Sequence, residues 1–168
     1  MRKSDELKSM AIANGLCEQW QKEWGRPDDE ELIRKYIKGL DFCIKNHYPP
    51  KDYVVKHFDR HFLHEHGIWC DEEVRYTKTR MVLRGSCTGT ITFGKMDTAF
   101  VWVTENSDVT IVCNKFSQAY ICVHDNAKVR VVGDGIAKVR VTAYGDGATV
   151  TCEGQVDFRK KENVINKN

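Results

Sequence analysis

The strongest constraint on this fold is a short pattern that repeats seven times between residues 87 and 152. In each repeat a small residue is followed by two apolar residues at every second position, as in Ala99-Val101-Val103 and Ala119-Ile121-Val123. This alternation is typical of a β-strand that buries one face. The small residues recur after 8 to 12 positions, too evenly for unrelated hairpins. We therefore predict a stacked β-solenoid.

The size of one coil stays open at this stage. Two strands per coil would require about 18–21 residues, whereas three would require about 28–30. Turns are predicted where Gly, Asn and Asp cluster, because these residues tolerate the left-handed backbone of tight corners. The central apolar residue of each repeat should lie in the core: Ile91, Val101, Val109, Ile121, Val129, Val139 and Val150.

The first part of the chain has helical spacing instead. Ser4 is predicted to cap one helix, and Pro27-Asp28 precedes a second, amphipathic helix that runs to Ile44. We expect an α+β chain in which an N-terminal helical segment caps a short C-terminal β-solenoid. The predicted parts are a helical head with its connector at 1–79, solenoid repeats at 80–158, and a basic, flexible tail at 159–168.

Charge and composition argue against several classes of partner. The net charge is +2 and no basic stripe stands out, which argues against a nucleic-acid partner. The N-terminus lacks the apolar core of a signal peptide, and no apolar run is long enough for a membrane span. The seven cysteines are odd in number and irregularly spaced, which indicates reduced thiols. We therefore expect a cytoplasmic protein that does not bind membranes.

A histidine cluster is the one candidate metal site. His57, His61 and His64 have the spacing that places three imidazoles on one helical face, and Cys70 follows. Neither CxxC nor HExxH accompanies them. We treat the four residues as weak zinc candidates and predict no metal and no cofactor.

The residues that alternate with the core positions point outward. If two strands make one coil, Phe100, Trp102 and Tyr120 share an outer face that continues with Lys138 and Arg140. Such a patch either packs against the helices or binds a partner, because Trp, Tyr and Arg dominate binding hot spots. We predict these five residues as the binding site.

Three segments carry a resemblance to known proteins: CEQWQKEWGRPDDEELIRKYIKGLDFCIKNHYP, LHEHGIWCDEEV and NAKVRVVGDGIAKVRV. They resemble a group of small uncharacterised proteins of gut bacteria and their mobile elements. The resemblance implies a helical head on a short β-solenoid and a phage or mobile-element origin. It implies no catalytic residue.

The chain lacks the GxSxG, GxxxxGK and GxGxxG motifs. We expect a non-enzymatic protein that binds a macromolecule, either a partner protein or further copies of itself as a homo-oligomer. A host defence or regulatory protein would suit the implied origin as the target. The alternatives are a module for carbohydrates or small ligands that uses Trp102 and Tyr120, and a metal-dependent enzyme centred on the histidines.

Overall fold

The computed structural model describes residues 1–162. The chain divides between Asp59 and Arg60 into two compact units. In the described residues the first unit contains five helices: α1 (Lys3–Ala13), α2 (Glu18–Lys22), α3 (Asp29–Lys38), α4 (Leu40–Lys45) and α5 (Lys51–His57). None of the described helices is both long enough and apolar enough to cross a membrane.

Two buried aromatic residues hold the helices of the first unit together. The Tyr48 hydroxyl donates to the carbonyl of Leu7 at 2.9 Å. The indole N–H of Trp24 donates to the carbonyl of Ser4 at 3.2 Å. Both rings are less than a tenth exposed, so each satisfies its polar atom inside the core.

The start of α3 is as predicted, whereas two other helix predictions are wrong. Asp28 caps α3 by accepting the Glu31 amide at 2.9 Å. Ser4 caps nothing, because α1 begins one residue earlier and Ser4 lies buried in its first turn. The predicted helix to Ile44 is interrupted at Gly39, where α3 ends and α4 begins, because glycine is a poor helix former.

Up to residue 162, the second unit begins with α6 (Arg60–Glu65), and all of its later elements are strands. Parallel pairing joins β1, β2, β4, β6, β8 and β10 into a six-stranded sheet, and β3, β5, β7 and β9 into a four-stranded sheet. The strands are β1 (Ile68–Cys70), β2 (Arg80–Arg84), β3 (Thr88–Phe93), β4 (Thr98–Val103), β5 (Asp108–Cys113), β6 (Gln118–Val123), β7 (Lys128–Gly133), β8 (Lys138–Tyr144), β9 (Thr149–Gly154) and β10 (Asp157–Lys161).

One coil of the solenoid contains one strand of each sheet. Thr98 pairs with Gln118, and Gln118 pairs with Lys138, so a regular coil takes 20 residues. The structure therefore has two strands per coil, one of the two possibilities that the sequence left open. The solenoid has about 4 turns, and its architecture confirms the predicted α+β class with stacked parallel strands.

The core lies between the two sheets and is built from the predicted inward positions. Ile91, Val101 and Ile121 are at most 1% exposed, and Val109, Val129 and Val139 are also buried. Val150 is only partly buried, because it lies in the last coil and the described residues supply no further coil on that side. The inward register is therefore confirmed at six of the seven positions.

The corners explain why the spacing of the small residues varies between 8 and 12 positions. They occupy two positions of one ten-residue unit, either the second residue of a strand, as at Ala99, or the last residue of a turn, as at Ser107 and Ala127. The second turn residue is left-handed, with φ of 58° at Glu105 and 54° at Lys115. Lys and Glu therefore occupy corner positions for which sequence alone favours Gly, Asn or Asp.

The second compact unit starts at Arg60, and its helix α6 contacts β1. Strand β10 continues to Lys161, so the first residues of the expected tail pair with β8. Residues 163–168 of that tail lie outside the described residues.

Candidate binding surface and a Tyr–His–Glu hydrogen-bond chain

Four outward side chains form a line across the six-stranded sheet. Parallel register places Arg80 beside Phe100, Phe100 beside Tyr120, and Tyr120 beside Arg140. We call Arg80, Phe100, Tyr120 and Arg140 the aromatic–arginine row. The alternating pattern predicted Phe100, Tyr120 and Arg140, because alternation determines which side chains point outward. It did not predict Arg80.

The two rings of the row stack and remain open to solvent. The centroids of Phe100 and Tyr120 are 5.2 Å apart and their planes differ by 13°. Phe100 is 44% exposed and Tyr120 is 41% exposed. Adjacent aromatic residues on neighbouring strands stabilise a sheet, but rings left this open also offer a flat apolar contact surface.

An ion pair lies at the Arg140 end of the row. The Arg140 Nε donates to the Asp157 carboxylate at 3.1 Å, and Arg159 reaches the same oxygen at 3.3 Å. The bonds from Arg140 and then Arg159 lower the pKa of Asp157. One carboxylate thus faces two guanidinium groups, and the neighbourhood keeps an excess of positive charge.

A shallow groove of about 590 Å³ runs beside Tyr120 and Arg140. Its polar lining includes Gln118, Lys138, Gln155 and Asp157. Lys138 lies in the neighbouring row, in register with Gln118. The predicted residue Lys138 therefore borders the same surface as Tyr120 and Arg140.

Trp102 lies on the same face but in another row. It pairs with Val82 and Cys122 and is only partly exposed. The structure thus places all five predicted binding residues on one sheet face, with the open stack formed by Phe100 and Tyr120 and not by Trp102.

The histidine spacing does not produce a three-imidazole face. Helix α5 ends at His57, and Phe58 adopts an extended conformation with φ −121° and ψ 139°. The chain leaves the helix between the first and second histidines, so the three imidazoles do not share one helical face. His57 instead stacks on Tyr53, with ring centroids 4.0 Å apart.

The other candidate ligands have different partners. His61 pairs with Glu65 at 3.3 Å and is mostly exposed. Burial raises the pKa of the Cys70 thiol to about 12, which opposes the thiolate that a metal requires. Across residues 1–162, no group of three or more His, Cys, Asp or Glu side chains is arranged to hold a metal ion.

His64 belongs to a hydrogen-bond chain that the sequence did not reveal. Its Nε2 lies 2.6 Å from the Glu72 Oε1, and the Tyr76 hydroxyl bonds to its Nδ1. In a neutral imidazole Nε2 carries the proton, because the carboxylate can only accept, and Nδ1 then accepts from the phenol. We call Tyr76, His64 and Glu72 the Tyr–His–Glu chain.

The surroundings hold this chain in a fixed geometry. The Trp69 ring stacks on His64 with centroids 5.2 Å apart and planes 20° apart. The Arg60 Nε lies 3.5 Å from the second Glu72 oxygen. The side chains of His64 and Glu72 are 13% and 12% exposed, whereas Tyr76 is 47% exposed. The chain thus consists of a carboxylate and an imidazole that are mostly buried and a phenol that is accessible to solvent.

Comparisons with protein-family models, with curated proteins and with solved structures gave no match to this chain.

Proposed function

We propose that this protein is a non-enzymatic binding protein whose solenoid presents the aromatic–arginine row to an acidic surface of a partner protein. The observation that carries the proposal is the open stack of Phe100 and Tyr120, which ends in Arg140 and lies beside Lys138. Aromatic and arginine side chains contribute most of the free energy at protein interfaces. A rigid parallel stack also holds them in place before binding, which reduces the entropy cost of association.

Charge favours an acidic partner. Arg80, Lys138 and Arg140 are exposed on this face, and Asp157 is already engaged by Arg140 and Arg159. An acidic partner would gain charge-assisted hydrogen bonds there. The resemblance of the sequence further supports the proposal of a phage or mobile-element origin, with a host defence or regulatory protein as the target.

The test compares two double variants of the full chain. Tyr120→Ala with Arg140→Ala removes one ring and one guanidinium from the row. The control, Thr110→Ala with Arg130→Ala, changes neighbouring outward residues of the four-stranded sheet. Like Arg140, Arg130 is paired with a carboxylate of the last coil, Glu153 at 2.6 Å. Both variants therefore lose one exposed ion pair within the protein.

Affinity purification from the native host, followed by mass spectrometry, would identify the partner, and titration calorimetry would measure its affinity. We expect the row variant to lose roughly 2 kcal/mol or more of binding free energy, while the control binds like the wild type. Binding should also weaken as salt rises. Equal affinity of the two variants would contradict the proposal. Dissociation of a homo-oligomer by the row variant alone would identify a second copy as the partner.

The groove supports a second candidate, a carbohydrate- or small-ligand-binding module. An exposed ring beside amide and charged groups can stack on a sugar and bond to its hydroxyls. Here Tyr120 supplies the ring, and Gln118 and Gln155 supply the amides. A glycan array with the Tyr120→Ala variant tests it, and loss of a reproducible glycan signal in that variant is the supporting result.

A further inference from the structure

We propose that Tyr76 is a nucleophilic tyrosine that accepts the acyl group of an activated ester, with His64 as its general base and Glu72 as the residue that orients His64. The proposal goes beyond the binding function and does not depend on it. Nucleophile, base and orienting acid in hydrogen-bond contact are the arrangement by which proteins activate hydroxyl groups.

The hydrogen bonds already point in the direction that the transfer needs. With His64 neutral, the Tyr76 hydroxyl donates to the His64 Nδ1, which has a free lone pair because Nε2, 2.6 Å from Glu72, carries the proton. As the phenol oxygen attacks the carbonyl carbon, its proton passes to Nδ1 and the bond to the leaving alkoxide or phenolate breaks. The positive charge formed on His64 then lies against the Glu72 carboxylate.

The reacting residue is exposed, whereas the two residues that would activate it are mostly buried. Tyr76 is 47% exposed, whereas the side chains of His64 and Glu72 are 13% and 12% exposed. The stacked ring of Trp69, which is fully buried, limits rotation of the imidazole. A small ester can therefore reach the phenol while the base stays in place.

Electrostatics favour a neutral electrophile. Partial desolvation, followed by the negative charges of Glu72 and Glu65, raises the pKa of Tyr76. Phenolate is therefore scarce at neutral pH, and attack needs a base at the phenol oxygen. The same two carboxylates repel an anionic phosphoryl group, so an acyl group is the better substrate.

The experiment uses p-nitrophenyl acetate on the full-length protein and follows the acetylation of individual tyrosines by peptide mass spectrometry. Tyr120 is the matched control in the same chain, because it is 41% exposed and its ring stacks on Phe100 rather than on an imidazole. General base catalysis contributes roughly 10²-fold or more. We therefore expect Tyr76 to be acetylated about 100 times faster than Tyr120.

Two variants assign the roles. His64→Gln should lower the Tyr76 rate to that of Tyr120 and leave the Tyr120 rate unchanged, and a circular dichroism spectrum like that of the wild type shows that the fold survives. Glu72→Gln should lower the Tyr76 rate and reduce the population of the Nε2–H tautomer of His64 in ¹⁵N NMR spectra. Equal rates at Tyr76 and Tyr120 in the wild type would overturn the proposal, as would an unchanged Tyr76 rate in a folded His64→Gln variant.

Discussion

The Asp134 carboxylate accepts the backbone N–H of Lys115 at 2.7 Å and thereby links two successive coils at one corner. The same carboxylate accepts the amides of Ile136 and Ala137 at 3.0 and 2.9 Å. At the opposite corner Asp125 accepts the amide of Glu105 at 3.0 Å. Carboxylates thus satisfy backbone donors that the parallel ladders leave unpaired.

The Asp134 contact makes stability depend on pH. Hydrogen bonds from Lys115 and then Ala137 and Ile136 lower the pKa of Asp134. A lowered folded-state pKa stabilises the protein above the unfolded-state pKa, about 3.9 for Asp, and this contribution is lost as the pH falls through the lower folded-state value. We expect the wild type to lose stability below about pH 4, and Asp134→Asn to lose less over the same range.

Urea unfolding between neutral and strongly acidic pH measures this difference. Asp108→Asn is the control, because Asp108 is exposed on the outer face of β5. The control should follow the wild-type curve. An Asp134→Asn curve parallel to the wild type would show that the corner carboxylate does not contribute to acid sensitivity.

Gly67 should be one of the least tolerant positions. Its φ is +76°, and a Cβ atom there would lie 2.1 Å from the carbonyl oxygen of Arg80. That is inside van der Waals contact with backbone, at the point where the Val82 amide bonds to the Gly67 carbonyl. Gly67→Ala should therefore cost more than the conformational strain of about 1–2 kcal/mol alone.

Gly25→Ala separates the two contributions, because Gly25 has φ +65° and nothing within 4 Å of the added atom. Thermal unfolding measures the loss of stability of each variant relative to the wild type. The loss in Gly67→Ala minus the loss in Gly25→Ala gives the cost of the steric clash. Equal losses of stability at the two positions would mean that the backbone between β1 and β2 shifts to accommodate the added atom without a free-energy cost.

Val129→Asp should unfold the solenoid. Val129 is 2% exposed and lies in register between Val109 and Val150, so a carboxylate there would be buried among apolar side chains. We expect a loss of more than about 4 kcal/mol. The next residue, Lys128, is exposed, and Lys128→Asp should change stability by about 0.5 kcal/mol or less. Circular dichroism melting curves test both, and an unchanged melting temperature in Val129→Asp would contradict the register.

The cysteines should react in two classes. None of the seven cysteines forms a disulfide, and Cys17 and Cys152 are exposed. Burial raises the pKa of Cys70 to about 12 and that of Cys113 to about 11, so these thiols are protonated as well as inaccessible at pH 8. Labelling with a disulfide reagent should modify Cys17 in the native state and Cys70 only after denaturation. Fast native labelling of Cys70 would show that the core opens locally.

The alternating pattern was sufficient to predict the inward and outward faces of the regular coils. Val101 and Ile121 lie inward and Phe100 and Tyr120 lie outward because a strand has a strict period of two. The five predicted residues therefore lie on one sheet face, with Trp102 outside the open stack. The number of strands per coil was not predictable, because each strand from β3 to β7 occupies ten residues together with the turn that follows it, and the sequence does not mark which sheet a strand joins.

Two other features had no periodic signal. The Tyr–His–Glu chain joins a helix residue to two residues of the irregular segment between β1 and β2, and no spacing rule describes such a segment. β10 was missed because Lys160 occupies an inward register position, opposite Ala143, where the pattern requires an apolar side chain. Its ammonium group instead reaches Asp146 at 3.3 Å, which suits an edge strand.

Because each regular coil is built the same way, the aromatic–arginine row consists of separate positions, one from each coil. Each coil adds one inter-strand spacing, about 4.8 Å, and contributes a single side chain to the aromatic–arginine row. A substitution at Phe100, Tyr120 or Arg140 therefore changes one step of a linear array and leaves the backbone of its neighbours in register. If the row binds a partner as proposed, selection can tune its affinity one position at a time, and duplication of a whole coil would lengthen the array without redesigning the core.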